Sequence, residues 1–198
     1  AGKIVPVICG VATRCMGIQP LLEMICEYLP APDERSAVQG TKPDAEEEIF
    51  RDVNENAPFS ALVFKTTADP YSGKLSMFRI FSGALSSDST VLNTTTGEKE
   101  RIGQLNSLLG KQQQPMEKAV AGDIAVVAKL KTTTTGHTLC DEKEPVVYPT
   151  ITFANPVISV AIVPKSKGDE EKVSISLRRL CEEDMTLQVS HDPQTKQL

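Results

Sequence analysis

The sequence predicts a mainly β protein, in which an antiparallel β-barrel is flanked by smaller α/β pieces. In residues 58–103, short apolar runs rich in Val, Ile, Phe and Thr alternate with turn signals, and no helical period fits. This alternation is typical of consecutive antiparallel strands. The turn signals are Asp69-Pro70, Ser72-Gly73, Ser82-Gly83 and Thr96-Gly97. About six or seven short strands are expected up to residue 147, and closing them into a barrel leaves few edges exposed.

The composition limits the classes of protein to which the chain can belong. The chain has 198 residues, of which 40% are hydrophobic and 24% charged, as in an ordinary globular protein. No apolar run approaches the roughly 18–20 residues that cross a bilayer, and no signal peptide is visible, so we expect no membrane partner. The net charge of −5 gives no global reason to bind DNA. Five widely spaced cysteines, an odd number, predict reduced thiols in a cytoplasmic protein rather than a disulfide framework.

Residues 1–30 predict one strand followed by one helix. The continuous apolar run at 4–9 is typical of a strand buried on both faces. A helix is expected from about Gln19 to Pro30, with an apolar stripe at helical spacing: Ile18, Leu21, Leu22, Ile25 and Leu29. One strand and one helix cannot cover each other's apolar faces. We therefore expect the remnant of a larger α/β domain, with a small appendage packed on the next domain as the alternative.

The rest of the chain divides by composition into three stretches. Residues 31–57 are polar and predict a linker or an extended surface segment. Residues 58–150 form the predicted barrel, with Asp88 at a turn that needs a left-handed backbone. Residues 151–198 predict a β-α-β unit, with strands at 157–163 and 185–190 around a helix that begins near residue 169. This is half of a split, ferredoxin-like arrangement.

The sequence contains no recognisable catalytic motif. There is no phosphate loop, no GxSxG elbow and no HExxH pair. His137 and Cys140 lie three residues apart, beside Asp141 and Glu142, but zinc needs further ligands and the other histidine, His191, lies in a different stretch. A polar turn followed by a buried cysteine is the favoured interpretation. We predict neither a metal site nor catalytic residues.

Three runs of the sequence resemble one protein family. PFSALVFKTTADPYSGKLSMFRIFSGALSSDSTVLNTTTGEKERIGQL and AGDIAVVAKLKTTTTGHTLCDE resemble the second domain of bacterial translation elongation factor G. FANPVISVAIVPKSKGDEEKVSISLRRLCEED resembles the start of its third domain, and IVPVICGVATRCMGIQPLLEMICEYLPAP resembles the end of its GTP-binding domain. The resemblance is nearly colinear over the whole chain and is weakest in residues 31–57.

The resemblance implies a ribosome-dependent GTPase that moves transfer RNA and messenger RNA, using GTP and magnesium in the parent protein. This chain would then be a fragment: a C-terminal strand-helix remnant of a P-loop GTPase domain, an elongation-factor-type barrel and a partial third domain. The phosphate loop, the magnesium-binding and switch segments and the guanine-specifying NKxD motif would lie outside it. No bound GTP and no hydrolysis are expected from this stretch alone.

The resemblance also implies contacts for individual residues. Val11 and Ala12 match a Ser-Ala pair whose backbone amides approach guanine, and Val11 departs from the family's serine. The barrel of the family rests on the small ribosomal subunit. The local cations expected to meet RNA phosphates are Lys74, Arg79, Lys99 and Arg101. A solvated strand surface is the alternative interpretation of these four residues.

Two alternative functions remain open on the sequence. A paralogue with the same domain plan would act in ribosome recycling or in tetracycline protection. A stand-alone barrel would serve as a binding module without a GTPase. The apparently interrupted units on both sides of the barrel argue against the second alternative.

Overall fold

The computed structural model describes residues 4–43, 45, 47–69, 72–110, 112–164, 166 and 168–190. Pro70, in one of the predicted turns, and His191 lie outside the described residues. The chain divides into two compact units, Ala1–Arg35 and Ser36–Leu198. In its described part the first unit contains one α-helix, and the second is mainly β. No helix among the described residues is long and apolar enough to cross a membrane.

The first unit is built on the predicted helix, α1 (Ile18–Tyr28), which is confirmed. Gly17 precedes it with φ 76°, a left-handed conformation that glycine adopts at little cost. The chain also passes close to Cys9 here, since a Cβ at position 17 would lie 2.6 Å from the Cys9 carbonyl oxygen. A short 3₁₀ turn, Ala12–Arg14, fills the loop before the helix.

The strand predicted at residues 4–9 is not formed. The described part of the chain offers no strand that pairs with it, and Val7 is 87% exposed. A strand of a parallel sheet depends on hydrogen bonds to its neighbours. Without them the apolar run forms no strand in the described part of the chain.

The second unit contains twelve strands in its described part. They are β1 (Val38–Thr41), β2 (Glu48–Arg51), β3 (Ser60–Asp69), β4 (Gly73–Ser82), β5 (Ala84–Ser86), β6 (Thr90–Asn93), β7 (Glu98–Arg101), β8 (Leu105–Leu109), β9 (Gln112–Met116), β10 (Lys118–Val120), β11 (Ile124–Ala128) and β12 (Thr138–Cys140). Strands β3 to β12 all lie in the predicted barrel, so there are more strands than expected. The short strands β5, β10 and β12 have three residues each and are too brief to show an alternating pattern.

The barrel predicted from the sequence is confirmed. Eight strands form one antiparallel sheet in the order β7-β6-β12-β3-β4-β11-β8-β9, and β5 pairs with β10. Alternate residues face inward and form one apolar core: Phe59, Ala61, Val63, Phe78, Ile80, Leu85, Val91, Ile102, Leu105 and Leu139 are among its members. Asp88 has φ 59°, as the predicted left-handed turn requires.

Part of the predicted linker is a β-hairpin. Strands β1 and β2 pair with each other, and Thr41 exchanges two backbone hydrogen bonds of 2.8 Å with Val147. Arg51 ties the hairpin to Glu144, donating to its carboxylate and to its carbonyl oxygen, both at 2.9 Å. A second apolar cluster around Cys140, Val146 and Tyr148 lies beneath the hairpin. Strands β1 and β2 are therefore packed against this cluster.

The last stretch forms its predicted helix but not its strands. Helix α2 (Glu170–Glu183) begins with two glutamates, which suit the positive end of the helix dipole. The flanking stretches 157–163 and 185–190 form no strand in the part of the chain that the structure describes, and Val157 is 98% exposed. A strand needs a hydrogen-bonded neighbour, and neither stretch has one among the described residues.

Candidate nucleic-acid interface

The four predicted RNA-contacting cations lie on two separate strands. Lys74 and Arg79 belong to β4, and Lys99 and Arg101 belong to β7. Strands β6, β12 and β3 lie between them in the sheet. Because neighbouring strands are about 4.8 Å apart, the two pairs are separated by roughly 19 Å along the sheet. The fold therefore does not bring the four cations into one patch.

The two cations on β7 are already paired with carboxylates. Lys99 Nζ lies 2.7 Å from Glu142 Oε1, and Arg101 Nη2 lies 3.6 Å from Asp88 Oδ1. All four side chains are exposed, so each ion pair contributes little to stability. The carboxylates nevertheless compete with any phosphate for the same cation.

The two cations on β4 have different surroundings. Lys74 is half-buried at the start of the strand, and its charge acts on His137. Arg79 is half-buried between its cross-strand neighbours Leu62 of β3 and Ile124 of β11. Among the described residues neither cation has a carboxylate within salt-bridge distance.

A β-bulge on β3 exposes a further cation that the sequence reasoning missed. The register of β3 against β4 shifts between Val63 and Lys65, so Phe64 and Lys65 together face Met77. Before the bulge Ala61 and Val63 point into the core, and after it Thr66 does. By strict alternation Lys65 would point inward, but the extra residue turns it outward, where it is exposed. The sequence contains one signal of this bulge, because Lys65 stands where strict alternation would place a core residue.

A buried carboxylate holds the loop that follows β11. Glu100 is 3% exposed on the inner side of β7. It accepts five hydrogen bonds of 2.7–3.2 Å, from the backbone N–H groups of Lys131, Thr132 and Thr133 and from the two threonine hydroxyls. Burial alone would raise the pKa of Glu100, but these donors outweigh it, and the pKa is lowered. Glu100 is thus a structural anion.

His137 extends the same network. Its Nδ1 lies 3.1 Å from Asn93 Nδ2 and accepts from the Thr134 N–H at 3.3 Å, while its Nε2 lies 2.9 Å from Thr134 Oγ1. Because an amide nitrogen only donates, Nδ1 is the acceptor and we assign the proton to Nε2. Burial first, and then the charge of Lys74, lower the pKa of His137. The folded protein therefore keeps His137 neutral to a lower pH than the unfolded chain does. The contribution of this neutral form to stability is full above the ordinary pKa of 6.5 and is lost as the pH falls through that value towards the lower folded pKa.

This arrangement leaves His137 engaged within the fold. Both ring nitrogens already have protein partners, and Cys140 is buried with a pKa raised chiefly by that burial. Within the described residues no group of three or more His, Cys, Asp or Glu side chains is placed to hold a metal ion. All five cysteines are free, as predicted.

The predicted guanine-contacting residues lie in a tight loop of the first unit. Val11 and Met16 exchange two backbone hydrogen bonds, of 3.0 and 3.2 Å, which close the loop. The Val11 N–H is therefore used inside the protein. Ala12 opens the 3₁₀ turn, where the first N–H has no intrahelical partner, and no hydrogen bond from it occurs among the described residues. The geometry leaves the Ala12 amide available, and nucleotide contact by this pair stays a prediction.

Comparison with known proteins finds the same family along two consecutive stretches of the second unit. A family model for elongation factor G domain 2 matches residues 58–142, and a model for elongation factor G domain III matches residues 153–198. Among solved structures, a crystal structure of a protein from Thermus thermophilus is similar over 93% of this chain, with 29% identity and a TM-score of 0.73. The chain spans 25% of the length of that protein.

Proposed function

The chain belongs to the elongation factor G family, and from this premise we propose that it is part of a ribosome-dependent GTPase that moves transfer RNA and messenger RNA during protein synthesis. The observation that carries the proposal is the pair of consecutive family matches, domain 2 followed directly by domain III. A stand-alone binding barrel would not require the second match. We place the protein in the cytoplasm, where ribosomes work.

In this proposal the chain supplies rigid parts rather than the chemistry. GTP and magnesium bind in the parent protein, to segments other than the barrel. The barrel, which is built around one apolar core, holds neighbouring domains at a fixed spacing and rests on RNA of the small ribosomal subunit. In this proposal the barrel supports catalysis by positioning the other domains.

The Val11–Ala12 loop has a place in the same proposal. We propose that the Ala12 N–H, which makes no hydrogen bond among the described residues, approaches the guanine base in the parent protein. Backbone recognition of this kind does not use a side chain at position 11, so the valine there is compatible with it. The Val11–Met16 hydrogen bonds keep the loop in one shape.

The test uses the full-length protein that contains this chain. Ribosomes are expected to stimulate its GTP hydrolysis, and the messenger RNA on a pretranslocation ribosome is expected to advance by one codon when the protein and GTP are added. Reactions without ribosomes or with a nonhydrolysable GTP analogue are the controls. Stimulated hydrolysis together with subunit splitting or tetracycline release, and no advance, would instead identify one of the paralogues. Hydrolysis that ribosomes leave unchanged would contradict the whole proposal.

A further inference from the structure

The turn at residues 134–137, here named the histidine turn, is joined to β6 by the ring of His137. Nδ1 of the ring accepts from Asn93 Nδ2 at 3.1 Å and from the Thr134 N–H at 3.3 Å. Asn93 is fully buried, and His137 is half-buried. Because both partners are N–H donors, the ring makes these two contacts only while Nδ1 carries no proton.

The amide of Asn93 is fixed in the orientation that a protonated ring would oppose. Its Oδ1 accepts from the N–H groups of Thr95 and Thr96, at 3.1 and 3.3 Å. Turning the amide to present Oδ1 to an imidazolium would set Nδ2 against these two backbone donors. Rotating the ring of His137 gives no relief, because both nitrogens of an imidazolium are donors. Protonation therefore removes the contact between His137 and Asn93.

The charges around the ring leave a proton on it uncompensated. Lys74 acts on His137 from β4, and Lys131 is a second cation, on the loop before the histidine turn. Glu100 approaches this loop from β7, but its carboxylate already accepts five hydrogen bonds there. β3 contributes the backbone of Val63, which bonds to the histidine turn, and β6 contributes an uncharged amide. Among the described residues no carboxylate lies within salt-bridge distance of the ring.

We propose that His137 is an acid-sensitive switch of the barrel: when Nδ1 takes up a proton from solvent, the histidine turn separates from Asn93, and the turn at residues 94–97 loosens with it. The opened turn binds a proton below the ordinary pKa of 6.5, so opening is favoured as the pH falls below that value. Glu100 has a pKa lowered from 4.5 and stays charged in this range, so it continues to hold residues 131–133. The switch concerns the barrel itself and goes beyond the proposed function.

The test follows hydrogen exchange at single amides of the full-length protein that contains this chain, between about pH 7.5 and about pH 5.5. After correction for the intrinsic pH dependence of exchange, opening at the Thr134 amide is expected to increase by about tenfold, because the opened turn binds a proton that the closed turn excludes. The Thr95 and Thr96 amides, which donate to the buried side chain of β6, should follow. The Thr133 amide, which donates to Glu100, should not change.

Three variants assign the response to the ring. His137→Asn supplies a carbonyl oxygen close to the position of Nδ1 that does not titrate, so it should abolish the acid response. His191→Asn removes the other histidine of the chain and is the matched control, which should retain the response. Lys74→Met should weaken the response, because the closed turn accepts a proton more readily without the neighbouring charge.

Exchange at Thr134 that is independent of pH in the wild-type protein would overturn the inference. So would an equal acid response in His137→Asn, or a response of the Thr133 amide as large as that of Thr134. Urea unfolding of each variant checks that the barrel is intact. If His137→Asn does not fold, the wild-type protein and Lys74→Met still decide, since an acid response that Lys74→Met leaves undiminished contradicts the switch. Each of these results leaves the proposed function standing, because none of them involves the ribosome.

Discussion

The carboxylate of Glu100 joins β7 to the loop that follows β11. Its five donors belong to three consecutive residues of that loop, so one side chain fixes the path of the backbone there. Thr133 Oγ1 also accepts from Asn93, which contacts His137. Glu100, Thr133, Asn93 and His137 are therefore joined in one connected hydrogen-bond network at this end of the barrel.

Replacing Glu100 by Gln should destabilise the protein by about 1.5–3 kcal/mol at neutral pH, because charged hydrogen bonds are lost and the amide nitrogen faces backbone donors. The lowered pKa means that the wild-type advantage is present above the ordinary value of 4.5 and is lost as the pH falls through the folded value. Urea unfolding of both proteins at neutral and acidic pH measures the difference between their free energies of unfolding. The difference should shrink in acid.

The control for this prediction is Glu98→Gln, an exposed carboxylate on the same strand. It should change the free energy of unfolding by less than about 0.5 kcal/mol. Equal stability of Glu100→Gln and wild type at neutral pH would show that the Glu100 network does not hold the loop.

At the scale of elements, the β1–β2 hairpin depends on a glycine that allows close approach. A Cβ at position 40 would lie 2.6 Å from Val146 Cγ2 and 2.9 Å from the Val147 carbonyl oxygen. The backbone of β1 therefore lies directly against the segment that carries Tyr148. Tyr148 in turn packs edge-on against Phe81, with ring centroids 4.9 Å apart, and its hydroxyl lies 2.6 Å from Ser60 Oγ.

Gly40→Ala should push the hairpin away from residue 147 and cost about 1–3 kcal/mol, the usual range for overpacking. Faster hydrogen exchange is expected at the Thr41 amide, which donates to Val147. Gly103→Ala is the matched control, since nothing lies within 4 Å of a Cβ there. Slow exchange at Thr41 in both variants would count against close packing of the hairpin.

At the scale of the whole molecule, the described part of the second unit exposes an apolar region around helix α2. The stretch 156–162, helix α2 and residues 187–190 line a shallow open groove. The exposed apolar side chains in this region include Val157, Ile158, Val160, Leu180 and Leu187. A contiguous apolar surface of this kind promotes association.

The isolated chain should therefore bind a hydrophobic dye and associate as its concentration rises. Val157→Lys/Val160→Lys should reduce both effects, because it removes apolar surface and adds charge, while the urea midpoint of the barrel stays unchanged. Asn155→Lys/Ser159→Lys adds the same charge at exposed polar positions and serves as the control. Dye fluorescence measures dye binding, and light scattering measures association. An equal decrease in both variants would point to charge rather than apolar area.

Elements whose apolar residues follow a regular pattern were predictable from the sequence. Helix α1 follows from the spacing of its apolar residues, and the barrel follows from short alternating runs between turn signals. The strands at 4–9, 157–163 and 185–190 were predicted from apolar runs alone and are not formed. An apolar run supplies the side chains of a strand, but hydrogen bonds from a neighbouring strand complete it.

The sequence by itself determined the fold class, the family and the left-handed turn at Asp88, since each is expressed in local composition or in long runs of matching residues. Only the tertiary structure decided which cations share a surface. Sheet order separates Lys74 and Arg79 from Lys99 and Arg101, and the bulge at Phe64 turns Lys65 outward. The direction of a side chain on a strand depends on register, and one inserted residue reverses it.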